Sequence, residues 1–272
     1  MRALQSGICE ARPAARKFEP AQEKPANKTV EAKAPAPQQI ELGRSVMGRA
    51  INATVHGAGK MHVIVIGGIH GDETATPFVA RALAASLERE PAPAGLTVIV
   101  VPEANPDGVA AGTRVNARGI DINRSFPALN WRADYKSATR YPGTEPNTEP
   151  ETRALIALIE RYSPALVITI HAALGCVNWD GPAQEFARVM ALKNNYPLCP
   201  YLGYETPGSL GSYVGVDKSV PTPTIELQTA NSMKVVRDNL PALRAAIDHF
   251  FFLNCCPHTD KFQVEETKKP AP

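Results

Sequence analysis

Two histidines and one glutamate follow apolar runs of the chain and together offer the side chains of a catalytic metal site. His70 and Glu73 lie three residues apart in the segment GGIHGDE, directly after one run, and His171 follows a second. If both runs are parallel strands of one sheet, their carboxyl ends meet where such sheets bind ligands. Two histidines and one carboxylate with an open fourth position form a catalytic zinc set. The HxxE spacing alone is weak evidence, so a core histidine at position 171 remains the alternative.

A polar segment with three arginines, RVNARGIDINRSFP (114–127), adds a second candidate element. Arg114, Arg118 and Arg124 fall within this segment, which ends in Phe-Pro like a packed element. Guanidinium groups bind carboxylates with paired hydrogen bonds and stabilise oxyanions. The segment is therefore a candidate for binding an anionic substrate, and a solvated basic loop is the alternative.

The elements that must position these residues alternate between strands and helices. Buried, β-branched runs predict strands at 61–67, 96–101, 165–170 and 222–227. Helical periodicity predicts helices at 77–90, 150–162, 182–194 and 235–252. This alternation indicates one α/β domain, a mixed but mostly parallel sheet with helices on both faces, with a long loop at 103–149.

Composition and charge exclude several other classes of protein. The chain has 272 residues, of which 44% are hydrophobic and 21% charged, as in globular proteins. A net charge of +2 gives no footprint for nucleic-acid binding, and no apolar run reaches the roughly 18 residues of a membrane span. Polar, Pro-rich sequence predicts a disordered tail at 1–38 and a polar tail at 259–272, which leaves a catalytic domain at 39–258.

Six motifs in order resemble the zinc carboxypeptidases related to carboxypeptidase A, and within that family the bacterial murein tripeptide amidases. The motifs are GRSVMGRAI (43–51), GGIHGDE (67–73), NPDG (105–108), RVNARGIDINRSFP (114–127), TIH (169–171) and TIEL (224–227). The resemblance implies one zinc ion per chain and hydrolysis of an amide bond next to a free C-terminal carboxylate. In the murein branch, this is the γ-D-glutamyl–diaminopimelate bond of cell-wall peptides.

The resemblance also implies a role for each matching residue. His70, Glu73 and His171 match the zinc ligands. Glu226 matches the general base and Arg114 the arginine that polarises the scissile carbonyl.

The remaining matches concern the substrate and the support of the metal site. Asn123 and Arg124 match the pair that binds the substrate's terminal carboxylate, and Asp121 matches a carboxylate behind the first zinc histidine. Tyr204 matches the mobile substrate-binding tyrosine. Tyr213 competes for that role, although it better fits an aromatic side chain of the pocket wall.

Two positions bear on selectivity for the substrate's side chain. Gly211 stands in the region that sets this selectivity in larger relatives, and a glycine there leaves room but no charge. It does not explain how diaminopimelate, with its distal ammonium and carboxylate, would be recognised. Arg118 is a candidate for meeting that distal carboxylate, and a surface role is the alternative.

Two other functions remain open from the sequence. An N-acyl amino-acid deacylase of the aspartoacylase-like group shares GxHGxE and the DxNR stretch, and a non-catalytic peptide or cell-wall binding module would need none of the catalytic groups. We expect a small peptide as the partner, with no nucleic acid and no membrane span. A cytoplasmic location is expected from the murein-recycling relatives, and export is the alternative if a signal precedes this start.

Overall fold

The computed structural model describes residues 35–229 and 234–255. In these residues the strands are β1 (Gln38–Arg44), β2 (Ala50–Gly57), β3 (Met61–Ile66), β4 (Leu96–Val101), β5 (Leu166–Ala172), β6 (Cys176–Asp180) and β7 (Thr222–Leu227). The α-helices of the same residues are α1 (Ala75–Arg89), α2 (Pro106–Ala111), α3 (Pro150–Tyr162), α4 (Gln184–Asn194) and α5 (Lys234–Cys255). Short 3₁₀ turns lie at Ile122–Arg124 and Ala138–Arg140, and a π-helical turn lies at Gly211–Val216.

The seven strands found in the described residues form one mixed sheet in the order β1-β2-β4-β3-β5-β7-β6. The central strands β4, β3, β5 and β7 are parallel. The outer strands β1, β2 and β6 run antiparallel to their neighbours. The carboxyl ends of the parallel strands therefore lie at one edge of the sheet, where we expect a ligand site.

Apolar side chains cover both faces of the sheet. On one face, Val63 and Val65 of β3 pack with Leu83 of α1 and Leu243 of α5. On the other face, Ile64 and Ile66 of β3, which alternate with those valines, pack with Leu155 of α3. Burying a large aliphatic side chain stabilises the fold by about 1.5–3 kcal/mol, so these two cores hold the sheet in place. The predicted α/β class, with a mixed, mostly parallel sheet and helices on both faces, is confirmed.

Local sequence explains where the helices begin and end. Helix α3 begins at Pro150, whose fixed φ suits the first helical position, and Glu151 places a carboxylate near the positive end of the helix dipole. Helix α2 begins after Asn105, whose side chain accepts a hydrogen bond from Gly108 N at 2.9 Å. It ends at Gly112 in the left-handed conformation that glycine adopts without strain.

The structure corrects the predicted organisation in three places. Strands β1 and β2 come before the first predicted strand, and β6 lies between the predicted strand at 165–170 and the helix at 182–194. The predicted loop at 103–149 contains α2 and two 3₁₀ turns. These elements are short or half-exposed, so they lack the long apolar runs on which the prediction depended.

The predicted domain limits stay a prediction. Strand β1 begins at Gln38, one residue before the predicted start of the catalytic domain. Most of the predicted N-terminal tail (1–34) and all of the C-terminal tail (259–272) lie outside the described residues.

Candidate metal and catalytic site

The loop between β3 and α1 carries the first two candidate metal ligands. His70 and Glu73 are 3% and 5% exposed. The loop turns at Gly68, whose φ of +61° is a glycine conformation. It also passes so close to α2 that a Cβ on Gly71 would lie 1.8 Å from the carbonyl carbon of Gly108. The glycines of this motif therefore place the histidine and the glutamate against the sheet edge.

His171, near the end of β5, completes a cluster of three buried side chains. Its Nδ1 lies 3.2 Å from Nδ1 of His70 and 3.1 Å from Oε2 of Glu73. His70 Nδ1 lies 2.8 Å from Oε1 of Glu73, and one donor atom from each residue falls within 4.8 Å of the others. A tetrahedral zinc site with bonds of about 2.0–2.1 Å separates its donor atoms by roughly 3.3 Å. Both the donor types and their spacing fit such an ion.

The electrostatics of the cluster also suit a cation. Burial alone would lower the pKa of His70, but the charges of Glu73 and Asp121 outweigh it and raise this pKa to about 9. Burial would raise the pKa of Glu73, but the two histidines keep it well below its usual range. The carboxylate thus stays charged, and a positive charge at this place is stabilised.

Asp121 supports the cluster from behind. Its Oδ1 lies 3.1 Å from Nε2 of His70, and its Oδ2 accepts hydrogen bonds from Nε and Nη2 of Arg114 at 3.1 and 3.0 Å. Asp121 is fully buried. Although burial would raise its pKa, His70 and Arg114 hold that pKa well below the usual range. Arg114 also reaches toward the cluster, with Nη1 3.7 Å from Oε1 of Glu73.

The 3₁₀ turn that follows Asp121 presents Asn123 and Arg124. The Asn123 side chain accepts a hydrogen bond from Leu210 N at 2.9 Å, and its Nδ2 lies 3.4 Å from Nε2 of His171. Arg124 is 5% exposed and donates to the carbonyl of Asn123 at 2.6 Å. The turn therefore holds an amide and a guanidinium next to the histidine cluster.

Glu226 reaches the same place from the neighbouring strand. In the parallel pairing of β5 with β7, Glu226 lies opposite His171. It is 6% exposed, and burial raises its pKa. Within residues 35–229 and 234–255 its carboxylate makes no hydrogen bond. A buried carboxylate with a raised pKa beside a cluster of candidate metal ligands is a candidate for proton transfer.

These residues surround one cavity of about 260 Å³. His70, Glu73, Arg114, Asn123, Arg124, His171, Tyr204 and Glu226 all line it. The sequence analysis missed several further polar residues of its wall, which are Arg140, Thr169, Asn178, Asp180 and Thr224. For Asn178 and Asp180 a signal was present, because in CVNWD they alternate with Val177 and Trp179, as in a strand with one apolar face.

A comparison with family models decides the classification. The model of the zinc carboxypeptidases matches residues 27–227, more than half of the 272-residue chain. The chain belongs to the zinc carboxypeptidase family. The family resemblance inferred from the six motifs is thereby confirmed, and with it a hydrolytic function.

The relatives of this zinc carboxypeptidase include murein amidases. Murein peptide amidase A of Escherichia coli (strain K12) is 35% identical over 193 residues, which cover 65% of this chain and 76% of that protein. The enzyme of the same name from Vibrio campbellii (strain ATCC BAA-1116) is 33% identical over 198 residues, or 68% and 77% of the two chains.

Solved structures show the same fold. The murein-tripeptide amidase MpaA from Escherichia coli O157 matches with a TM-score of 0.64 and 30% identity, over 78% of this chain and 92% of that one. Thrombin activatable fibrinolysis inhibitor matches with a TM-score of 0.67 over 79% and 70% of the chains, but at 17% identity it shows the fold alone.

In this carboxypeptidase, the two tyrosines considered for substrate binding have different surroundings. Tyr204 lines the cavity, with the guanidinium carbon of Arg140 4.5 Å from its ring centre. Tyr213 is buried in the core, stacked on Phe126 at 6.0 Å. It is not among the residues that line the cavity, so its expected place in the pocket wall is wrong.

Gly211 and Arg118, the two positions considered for side-chain selectivity, differ in their location relative to the cavity. Gly211 lines the cavity. Arg118 does not; its side chain is 53% exposed, and its Nη1 lies 3.5 Å from Oε1 of Glu149. The surface role is therefore the one that the structure supports for Arg118. No helix in residues 35–229 and 234–255 combines the length and apolar character needed to cross a membrane.

Proposed function

We propose that this protein hydrolyses an amide bond next to a free C-terminal carboxylate, and that its substrates are murein peptides with a γ-D-glutamyl–diaminopimelate bond. The observation that carries the proposal is the cluster of His70, Glu73 and His171 with Glu226 beside it in one cavity. Two relatives with 33–35% identity are named murein peptide amidase A, which supports the choice of substrate.

In this proposal His70, Glu73 and His171 hold one zinc ion, and Asp121 orients His70 by accepting its Nε2 proton. The hydrogen bond at 3.1 Å fixes which ring nitrogen remains free for the metal. A zinc ion bound there would polarise the scissile carbonyl and lower the pKa of a water molecule from 15.7 toward about 7.

Glu226 is the proposed general base. Its carboxylate accepts a proton from the attacking water and delivers it to the nitrogen of the departing amine. Burial supports this role, because a raised pKa brings the carboxyl group closer to the pH at which it must both accept and release a proton.

The arginines of the 114–127 segment have the proposed roles of binding and orienting the substrate. Arg114, held by two hydrogen bonds to Asp121, stabilises the oxyanion that develops on the carbonyl oxygen. Arg124 and Asn123 bind the terminal carboxylate of the leaving residue, since a guanidinium pairs well with a carboxylate. Tyr204, which lines the same cavity, has the proposed role of contacting the bound substrate.

The test is to incubate the zinc-loaded protein with L-Ala-γ-D-Glu-diaminopimelate and detect free diaminopimelate by mass spectrometry. We expect release by the wild type. Glu226→Gln keeps the shape of the side chain but cannot accept a proton, so kcat falls by about 10²–10⁴-fold while zinc remains bound.

A second substrate separates the peptidase from the deacylase. N-acetylated amino acids, tested in parallel, are expected to be cleaved much more slowly than the tripeptide. Faster cleavage of these small substrates, or equal activity of the Glu226→Gln variant, would contradict the proposed function.

A further inference from the structure

Asp180 places a carboxylate without a partner in the wall of the substrate cavity. It is the last residue of β6 and lines the cavity. Across residues 35–229 and 234–255, its side chain forms neither a hydrogen bond nor an ion pair. Burial raises its pKa, with no neighbouring charge to offset this effect. A half-buried carboxylate that lacks a protein partner is unfavourable unless something else binds it.

The neighbouring turn is shaped to leave room for this carboxylate. A Cβ on Gly211 would lie 2.0 Å from Oδ2 of Asp180, and a Cβ on Gly215 would lie 2.6 Å from its Cβ. Both glycines belong to the π-helical turn that packs against the end of β6. Because Gly211 has no side chain, the carboxylate of Asp180 in β6 can occupy the part of the cavity next to the turn.

The strand register gives the position of Asp180 relative to the catalytic end. In the antiparallel pairing of β6 with β7, Cys176 lies opposite Glu226 and Asp180 lies opposite Thr222. Four residues of strand, at about 3.3 Å each, separate these two pairs by roughly 13 Å. When the scissile amide of a substrate lies at Glu226, a long side chain on the leaving residue can therefore extend along β6 and bring its far end close to Asp180.

The wall between these two points offers no competing charge. Thr224 and Asn178 form the intervening pair of the two strands, and both line the cavity. Their side chains are neutral and polar. Beyond Glu226, an ammonium group that extends along this wall meets its next opposite charge at Asp180, where a desolvated charge pair is stronger than in water.

We propose that Asp180 determines specificity by binding an ammonium group at the end of the leaving residue's side chain. The inference rests on the proposed function, since it assumes that the cavity binds the residue on the leaving side of the amide. The substrate class is then a peptide that ends in diaminopimelate, lysine or a similar long cationic residue, and residues with apolar side chains are disfavoured.

The experiment compares two peptides that differ in the ammonium group alone: L-Ala-γ-D-Glu-L-lysine and its analogue with norleucine, which lacks the amine. We expect the wild type to favour the lysine peptide by about 10- to 100-fold in kcat/KM, the usual effect of a charged hydrogen bond. Asp180→Asn, which is nearly isosteric, is expected to reduce this preference to about threefold or less. The matched control Asp248→Asn, on the exposed face of α5, keeps the wild-type preference.

Binding provides a second readout that does not need turnover. Calorimetry measures Kd of both peptides for Glu226→Gln and for Glu226→Gln combined with Asp180→Asn, and the lysine preference should vanish in the second protein. If Asp180→Asn discriminates as strongly as the wild type, or if Glu226→Gln binds both peptides equally, the inference is overturned. If the wild type cleaves neither peptide but binds the lysine peptide more tightly than the norleucine peptide, and Asp180→Asn removes this difference, the proposed function fails while the binding of an ammonium group by Asp180 is retained.

Discussion

The two ends of the substrate cavity hold carboxylates in opposite situations. At the metal end, Glu73 and Asp121 are surrounded by His70, His171 and Arg114, and both keep pKa values well below the usual range. At the other end, Asp180 has a raised pKa because burial acts on it without a compensating charge. The same side-chain chemistry is satisfied by the protein in one place and left open in the other.

This difference separates residues that build the site from a residue that selects its ligand. The metal end has fixed geometry, because each donor contacts at least one other at 2.8–3.2 Å. Such preorganisation suits a metal ion that takes part in the reaction of every substrate. The Asp180 end leaves its charge to be neutralised from outside, so its energetics depend on which substrate is bound.

The strongest test of the metal end removes one ligand. His171→Ala leaves two protein donors, too few for a stable catalytic zinc site, so we expect loss of bound zinc and loss of activity to background. Metal content of the purified protein, measured by mass spectrometry, checks this. His249→Ala is a suitable control, because that histidine pairs with Glu185 at 2.9 Å and does not line the cavity. Stoichiometric zinc in His171→Ala would contradict the ligand assignment.

A smaller effect is expected behind the ligands. Asp121→Asn keeps the volume of the side chain but removes the charge that orients His70 and pairs with Arg114. We expect zinc affinity to fall by about 10- to 100-fold, the usual result of losing such a supporting group. Competition with a chelator of known affinity measures it, with Asp248→Asn as the control. An unchanged affinity would show that Asp121 serves the fold and not the metal.

The smallest effect is expected from crowding the open end. Gly211→Ala places a methyl group on Oδ2 of Asp180, so the carboxylate must move. We expect the preference for the lysine peptide over the norleucine peptide to fall by about 3- to 10-fold, while zinc content stays the same. Gly43→Ala serves as the control, since its Cβ would meet Ala154 at an ordinary 3.4 Å. If Gly211→Ala prefers the lysine peptide as strongly as the wild type does, the position of the Asp180 carboxylate does not determine this preference.

Local sequence was sufficient to predict the central strands and a helix of this fold, but not the strands at or near the edges of the sheet. Strands β4 and β7 were predicted with their observed limits, and so was helix α3, because buried strands and amphipathic helices carry strong periodic signals. Strands β1, β2 and β6 were missed. They lie at or near the edges of the sheet, where half of each strand faces away from the core and short polar segments look like loops.

The same division applies to the site. Residues 67–73 and 114–127 could be identified from sequence because the chemistry is concentrated in short segments with recognisable motifs. Arg140 and Asp180 lie in no such motif, and they join the cavity through a 3₁₀ turn and an edge strand. The sequence matched Tyr204 to the substrate tyrosine and left Tyr213 as a competitor. In the structure Tyr204 lines the cavity and Tyr213 packs on Phe126.

The sequence by itself indicated the class of chemistry through six ordered motifs that resemble one family, whereas the spacing of two histidines and a glutamate was weak evidence when taken alone. It also determined the α/β architecture through the period of its apolar residues. Only the tertiary structure decided which charges meet. The pairing of β6 with β7 sets Asp180 along the wall that begins at Glu226, and the missing Cβ of Gly211 leaves space for it. Such proximity depends on strand register and on close contact between distant segments, and neither is encoded in local spacing.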